Sequence, residues 1–190
     1  MTGNLIPGLN NLNIYLIGMM GCGKSTIGQL VAEQLQYRFF DTDHLIEQVS
    51  RQSVNEIFAM AGEEEFRSIE AKVLAEVSAY TKLVVATGGG IVLRRSNWGY
   101  LRQGLVIWID VPAAVLWERL AADDSRPLLR TANPQSQLDQ LLESRRQRYA
   151  EADLRIIVTA DQSPPSVAAD ILAKIPTVLK APRTAPDSLL

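Results

Sequence analysis

The run Gly18-Met19-Met20-Gly21-Cys22-Gly23-Lys24-Ser25-Thr26 constrains this chain more than any other segment. It fits G-x-x-x-x-G-K-[ST], a glycine loop whose backbone cradles phosphate. Ile14-Tyr15-Leu16-Ile17 precedes it and reads as a short buried strand, while Ile27, Leu30, Val31 and Leu35 follow at helical spacing. Strand, glycine loop and helix together aim backbone N–H groups and a positive helix end at an anion. The Lys24 side chain can reach β/γ-phosphates, and the Ser25 hydroxyl can bind Mg²⁺. The motif implies a bound nucleoside triphosphate and says nothing of where the phosphate goes.

Further short apolar runs read as buried parallel strands: Arg38-Phe39-Phe40, Leu83 to Ala86, Leu105 to Ile109 and Arg155 to Val158. Helical patterns lie between them, at Gly62 to Tyr80, Val111 to Ala122, Gln135 to Glu151 and Ser166 to Ile175. Alternating strands and helices predict an α/β fold with an open, doubly wound parallel sheet. The 190 residues suit one domain, and 47% hydrophobic content suits a packed core. Residues 1–12 read as a leader, 13–175 as the domain and 176–190, with Pro176, Pro182 and Pro186, as a flexible tail. The net charge of −2 predicts no nucleic-acid partner, and no apolar run has membrane-spanning length. A single cysteine and an N-terminus without secretory or transit character point to the cytoplasm.

Ligands of such sheets bind beyond the carboxyl ends of the strands, so residues there are site candidates. The second strand ends in Asp41-Thr42-Asp43. On an extended chain, residues two apart face the same way at about 6.6 Å, so both carboxylates could serve one site. One could hold Mg²⁺ through water while the other handles a substrate hydroxyl; the competing reading is turn chemistry. The third strand ends in Thr87-Gly88-Gly89-Gly90, whose bare backbone lets a ligand lie directly against it. Asp110, after another apolar strand, competes with Asp41 for the metal or serves only as a helix cap. Glu63 to Glu65 reads as a solvated first helical turn. Arg67, Arg126, Arg145, Arg146 and Arg148 are candidate anion binders among which physical arguments alone do not choose.

In order, G-x-x-G-x-G-K-S-T, D-T-D, F-R-x-I-E (Phe66 to Glu70), G-G-G, R-P-L-L (Arg126 to Leu129) and R-x-x-x-Y (Arg145 to Tyr149) resemble the shikimate kinase family over Asn13 to Ile175. The resemblance implies a five-stranded parallel sheet flanked by helices, the P-loop nucleoside-monophosphate-kinase type, with a mobile lid at about 123–134. It implies transfer of the ATP γ-phosphoryl to the 3-hydroxyl of shikimate, a step toward chorismate and the aromatic amino acids, by a monomer. Gly21, Cys22, Gly23, Lys24, Ser25 and Thr26 would cradle the phosphates, with Ser25 on Mg²⁺ and Asp41 in the metal's hydration shell. Asp43, Arg67, Gly88, Gly89, Gly90 and Arg145 would bind shikimate. Arg126 would meet ATP from the lid, joining Lys24 and Asp43 in catalysis, and Arg119 and Gln162 would lie near the adenine. A gluconate-type or other small-molecule kinase and a non-catalytic nucleotide-binding module are the alternatives. Cys22 departs from the small Ser or Ala commoner at its position; it is either a tolerated small side chain or a thiol activated by the helix end and Lys24.

Overall fold

In the computed structural model, residues 6–121 and 131–179 are described. Five parallel strands form one sheet: β1 (Ile14–Ile17), β2 (Arg38–Asp41), β3 (Leu83–Ala86), β4 (Leu105–Asp110) and β5 (Leu154–Ile157), in the order β2-β3-β1-β4-β5. Around them pack α1 (Lys24–Leu35), α2 (Thr42–Ser50), α3 (Val54–Ser78), α4 (Arg95–Leu101), α5 (Ala113–Leu120), α6 (Pro134–Tyr149) and α7 (Pro164–Val178). A 3₁₀ turn spans Ile91–Leu93. Among the described residues, no helix is long and apolar enough to cross a membrane.

Strand periodicity divides the core. Ile14 and Leu16 of β1 join a cluster with Val31 of α1 and Ile171 of α7, while Tyr15 and Ile17 join another with Leu74 of α3 and Trp98 of α4. Both faces of β1 and β4 are therefore apolar, which is why those strands read as continuous hydrophobic runs. The register pairs Leu16 with Ala86, Ile17 with Trp108, and Asp41 with Ala86. The carboxyl ends of β1, β2 and β3 thus finish at a common level. Because the chain moves from β1 outward to β2 and later crosses to β4, the crevice opens beside β1.

Several elements differ from the sequence expectation. Helix α3 begins at Val54, eight residues before Gly62, because Ser53 and Glu56 form a reciprocal cap: the Ser53 hydroxyl accepts the Glu56 N–H at 3.3 Å, and Glu56 accepts the Ser53 N–H at 2.7 Å. Such a cap contributes about 1 kcal/mol. Gly62 breaks the helix with φ 80° and ψ 175°, so a second helical segment starts behind it and the exposed Glu63 to Glu65 form its first turn, as expected. Helices α2 and α4 and the 3₁₀ turn were not apparent from periodicity. The last helix runs on through Pro176 to Val178, past the expected boundary of the tail. At the other end, Ile6 and Leu9 of the leader are buried in the core.

Candidate active site

The phosphate loop spans the gap between β1 and α1. Gly23 caps α1 with φ 94°, a conformation that suits glycine and leaves no side chain over the helix end. No acidic residue lies in the first turn, so the N-terminal N–H groups face a site for an anion. Lys24 curls over the loop, its Nζ donating to the Gly18 and Met19 carbonyls at 3.0 and 2.9 Å. Arg119 of α5 donates to the Gly21 carbonyl at 3.3 Å, so that basic side chain borders the loop. Gln162 instead accepts the Thr159 N–H at 2.9 Å, closing the turn after β5. Cys22 is buried, with its sulfur 3.6 Å from Lys24 Nζ. That burial favours the reading as a small packed side chain over an exposed reactive thiol.

Asp41 ends β2 and turns the chain. One carboxylate oxygen accepts the N–H groups of Asp43 and His44 at 3.0 and 3.4 Å, and the other accepts the Ser25 hydroxyl at 2.5 Å. The chain enters α2 at Thr42, so Asp43 stands in a first helical turn and not on an extended strand. The two carboxylates still meet at one site, but through a cap. Asp41 does turn chemistry and also lines the loop pocket. Asp43 lines the loop pocket with Lys24, Ser25, Thr26 and Asp41. It also lines an adjoining pocket with Arg67, Gly88, Gly89, Gly90 and Arg145.

The structure separates the arginines. Arg67 and Arg145 are 6% and 3% exposed, whereas Arg146 and Arg148 pair with Glu143 and Glu151 at the surface. Arg67 is held by Glu63 at 2.9 Å and Glu70 at 3.1 Å. Its guanidinium lies so close to Gly90 that any β-carbon there would displace it. Arg145 donates to the Gly89 carbonyl at 3.2 Å. Arg126 and most of the expected lid lie outside the described residues. Asp110 neither caps α5, whose cap is Pro112, nor faces the loop alone: Arg155 binds it at 2.5 Å. The strand-end acid expected to compete for metal is thus neutralised across β4 and β5.

Two residues of this site had no role in the sequence reading. Glu70 lies fully buried beneath the second pocket, and Tyr149 donates to the Gly89 carbonyl at 2.5 Å. The spacing Arg67/Glu70 and Arg145/Tyr149, three and four residues apart, was the available signal, since it puts each pair on one helix face. Burial pushes the Glu70 carboxyl up to about 7, against the pull of Arg67 and Arg145. A carboxyl raised in the folded state binds more protons there than when unfolded. Its contribution to stability is therefore fully present below its ordinary value of 4.5 and lost as pH rises through 7. Thermal melts of wild type and Glu70→Gln are expected to show the wild-type advantage shrinking from pH 5 to pH 8; a constant difference would contradict the raised carboxyl.

Comparison with known proteins accords with this geometry. The sequence model described as shikimate kinase matches residues 20–176. A shikimate kinase of Nostoc sp. is 56% identical over 172 residues, covering 90% of this chain and 95% of the relative. A shikimate kinase of Synechococcus elongatus is 55% identical over 177 residues, 93% of each chain. The structure of shikimate kinase from Acinetobacter baumannii in complex with shikimate superposes with a TM-score of 0.85 at 37% identity, covering 89% of this chain and 95% of that one. With the match running across the loop, the buried arginines and nearly all of the sheet, the chain belongs to the shikimate kinase family.

Proposed function

We propose that this chain transfers the γ-phosphoryl group of ATP to the 3-hydroxyl of shikimate, giving shikimate 3-phosphate and ADP on the route to chorismate. One observation carries the reading: Asp43 borders both the phosphate-loop pocket and the pocket holding two buried arginines. An acceptor with a carboxylate at one end and a hydroxyl at the other would bridge them. Arg67 and Arg145 offer planar paired donors to that carboxylate. Asp43 accepts from the attacking hydroxyl, aiming its oxygen at the γ-phosphorus as the bond to the β-phosphate oxygen breaks. The transition state is loose, so alignment and charge neutralisation do most of the work.

Lys24 sits at the mouth of the loop and supplies positive charge to the β/γ-phosphates; Arg126 adds a second charge by the family resemblance. The hydroxyl of Ser25 and the carboxylate of Asp41, 2.5 Å apart, are hard oxygen donors of the kind that fit Mg²⁺ and would hold it beside the phosphates. Mg²⁺, when bound, would neutralise phosphate charge.

A coupled ADP-release assay comparing shikimate, gluconate and nucleoside monophosphates tests the proposal. Shikimate-dependent turnover is expected; turnover with another acceptor and none with shikimate overturns it. In the same assay Arg145→Ala is expected to raise the shikimate KM by about tenfold to a hundredfold, the loss of a charged hydrogen-bonding partner. A fall in kcat with an unchanged KM would remove Arg145 from carboxylate binding.

A further inference from the structure

The Gly89 carbonyl is gripped from one side. It accepts the Tyr149 hydroxyl at 2.5 Å and Arg145 Nη1 at 3.2 Å, both from α6 and one helical turn apart. Tyr149 is fully buried and its ring stacks on Trp108, with centroids 5.8 Å apart and planes at 27°. The hydroxyl also lies 3.9 Å from Met19 Sδ, a weak acceptor. Burial raises the phenol well above its ordinary range, so it stays a donor at any working pH.

The peptide it holds joins two glycines. With no β-carbon on either side, both orientations of such a peptide are sterically open. A trans peptide points its N–H opposite to its carbonyl. With the carbonyl turned toward α6, the Gly90 N–H turns away from α6; with the peptide reversed, an oxygen would stand where an anion is to bind. We infer that Tyr149 is a positioning residue for the acceptor's carboxylate: its buried hydroxyl, with Arg145, fixes the Gly89–Gly90 peptide so that the pocket keeps a donor-lined wall. The same contact steadies Arg145, whose Nη1 shares the carbonyl with the phenol. The inference rests on the shikimate reading above.

Tyr149→Phe keeps the ring and its stacking and removes only the hydroxyl. Its shikimate KM is expected to rise about tenfold, as for one lost hydrogen bond, with the ATP KM and kcat within about twofold of wild type. An analogue carrying a hydroxymethyl group in place of the carboxylate is expected to bind wild type and Tyr149→Phe alike. A shikimate KM that stays within about twofold overturns the inference. So does a rise matched by the neutral analogue or by ATP, which would give Tyr149 a role in fold stability alone. Absence of shikimate turnover in the wild type would instead overturn the proposed function.

Discussion

Asp43→Asn is expected to lower kcat by about a hundredfold or more while ATP affinity stays near wild type. Asparagine keeps the size of the side chain, and the backbone N–H of residue 43 can still donate to Asp41, so α2 retains its cap. What disappears is the negative charge at the border of the two pockets, which in the proposed mechanism accepts from the attacking hydroxyl. Its loss weakens both the aim of the oxygen and the path of its proton, contributions typical of general base catalysis. The measurement is kcat at saturating shikimate together with calorimetric titration of Mg-ATP. Turnover within a few-fold of wild type would mean that positioning by the arginines suffices and that Asp43 is only a binding residue.

Lys24→Met is expected to cost about a hundredfold to a thousandfold in turnover, the range seen when one preorganised donor to developing charge is removed. Methionine approximates the length of the side chain without its charge. The ammonium donates to the Gly18 and Met19 carbonyls. Both are loop backbone acceptors, so releasing Lys24 toward phosphate also loosens the two ends of Met19. The variant should therefore lose both transition-state stabilisation and loop order. ATP and shikimate KM values measured separately resolve the two losses: the ATP KM is expected to rise and the shikimate KM to hold. A variant with wild-type kcat would place the needed charge elsewhere.

The phosphate loop and the three inner strands were legible because their chemistry is local. A glycine pattern specifies its own geometry, and a doubly buried strand is apolar in every position. The acceptor pocket was less legible for the opposite reason. Whether Arg67, Arg145, Arg146 or Arg148 is buried depends on which helix face meets the sheet, and no short window of sequence carries that. The family resemblance selected Arg67 and Arg145, which are the buried pair. Helix α2 escaped periodicity because it is nine residues long and buries only Thr42 and Ile46. The early start of α3 was readable in Ser53 and Glu56, yet Gly62 drew the boundary instead because glycine commonly ends helices. Asp110 was misjudged because its partner, Arg155, comes from a strand 45 residues away.

Asp41 divides its two oxygens between two jobs. One holds the start of the helix that carries Asp43; the other holds the hydroxyl of the phosphate loop. A rigid carboxylate cannot move one oxygen and leave the other behind. Occupancy of the nucleotide side is therefore expected to bear on the start of the helix on the acceptor side, and the reverse. Thermodynamic linkage would make the two influences on binding equal in size. The phosphate loop and the start of the helix beside it are joined through a single side chain.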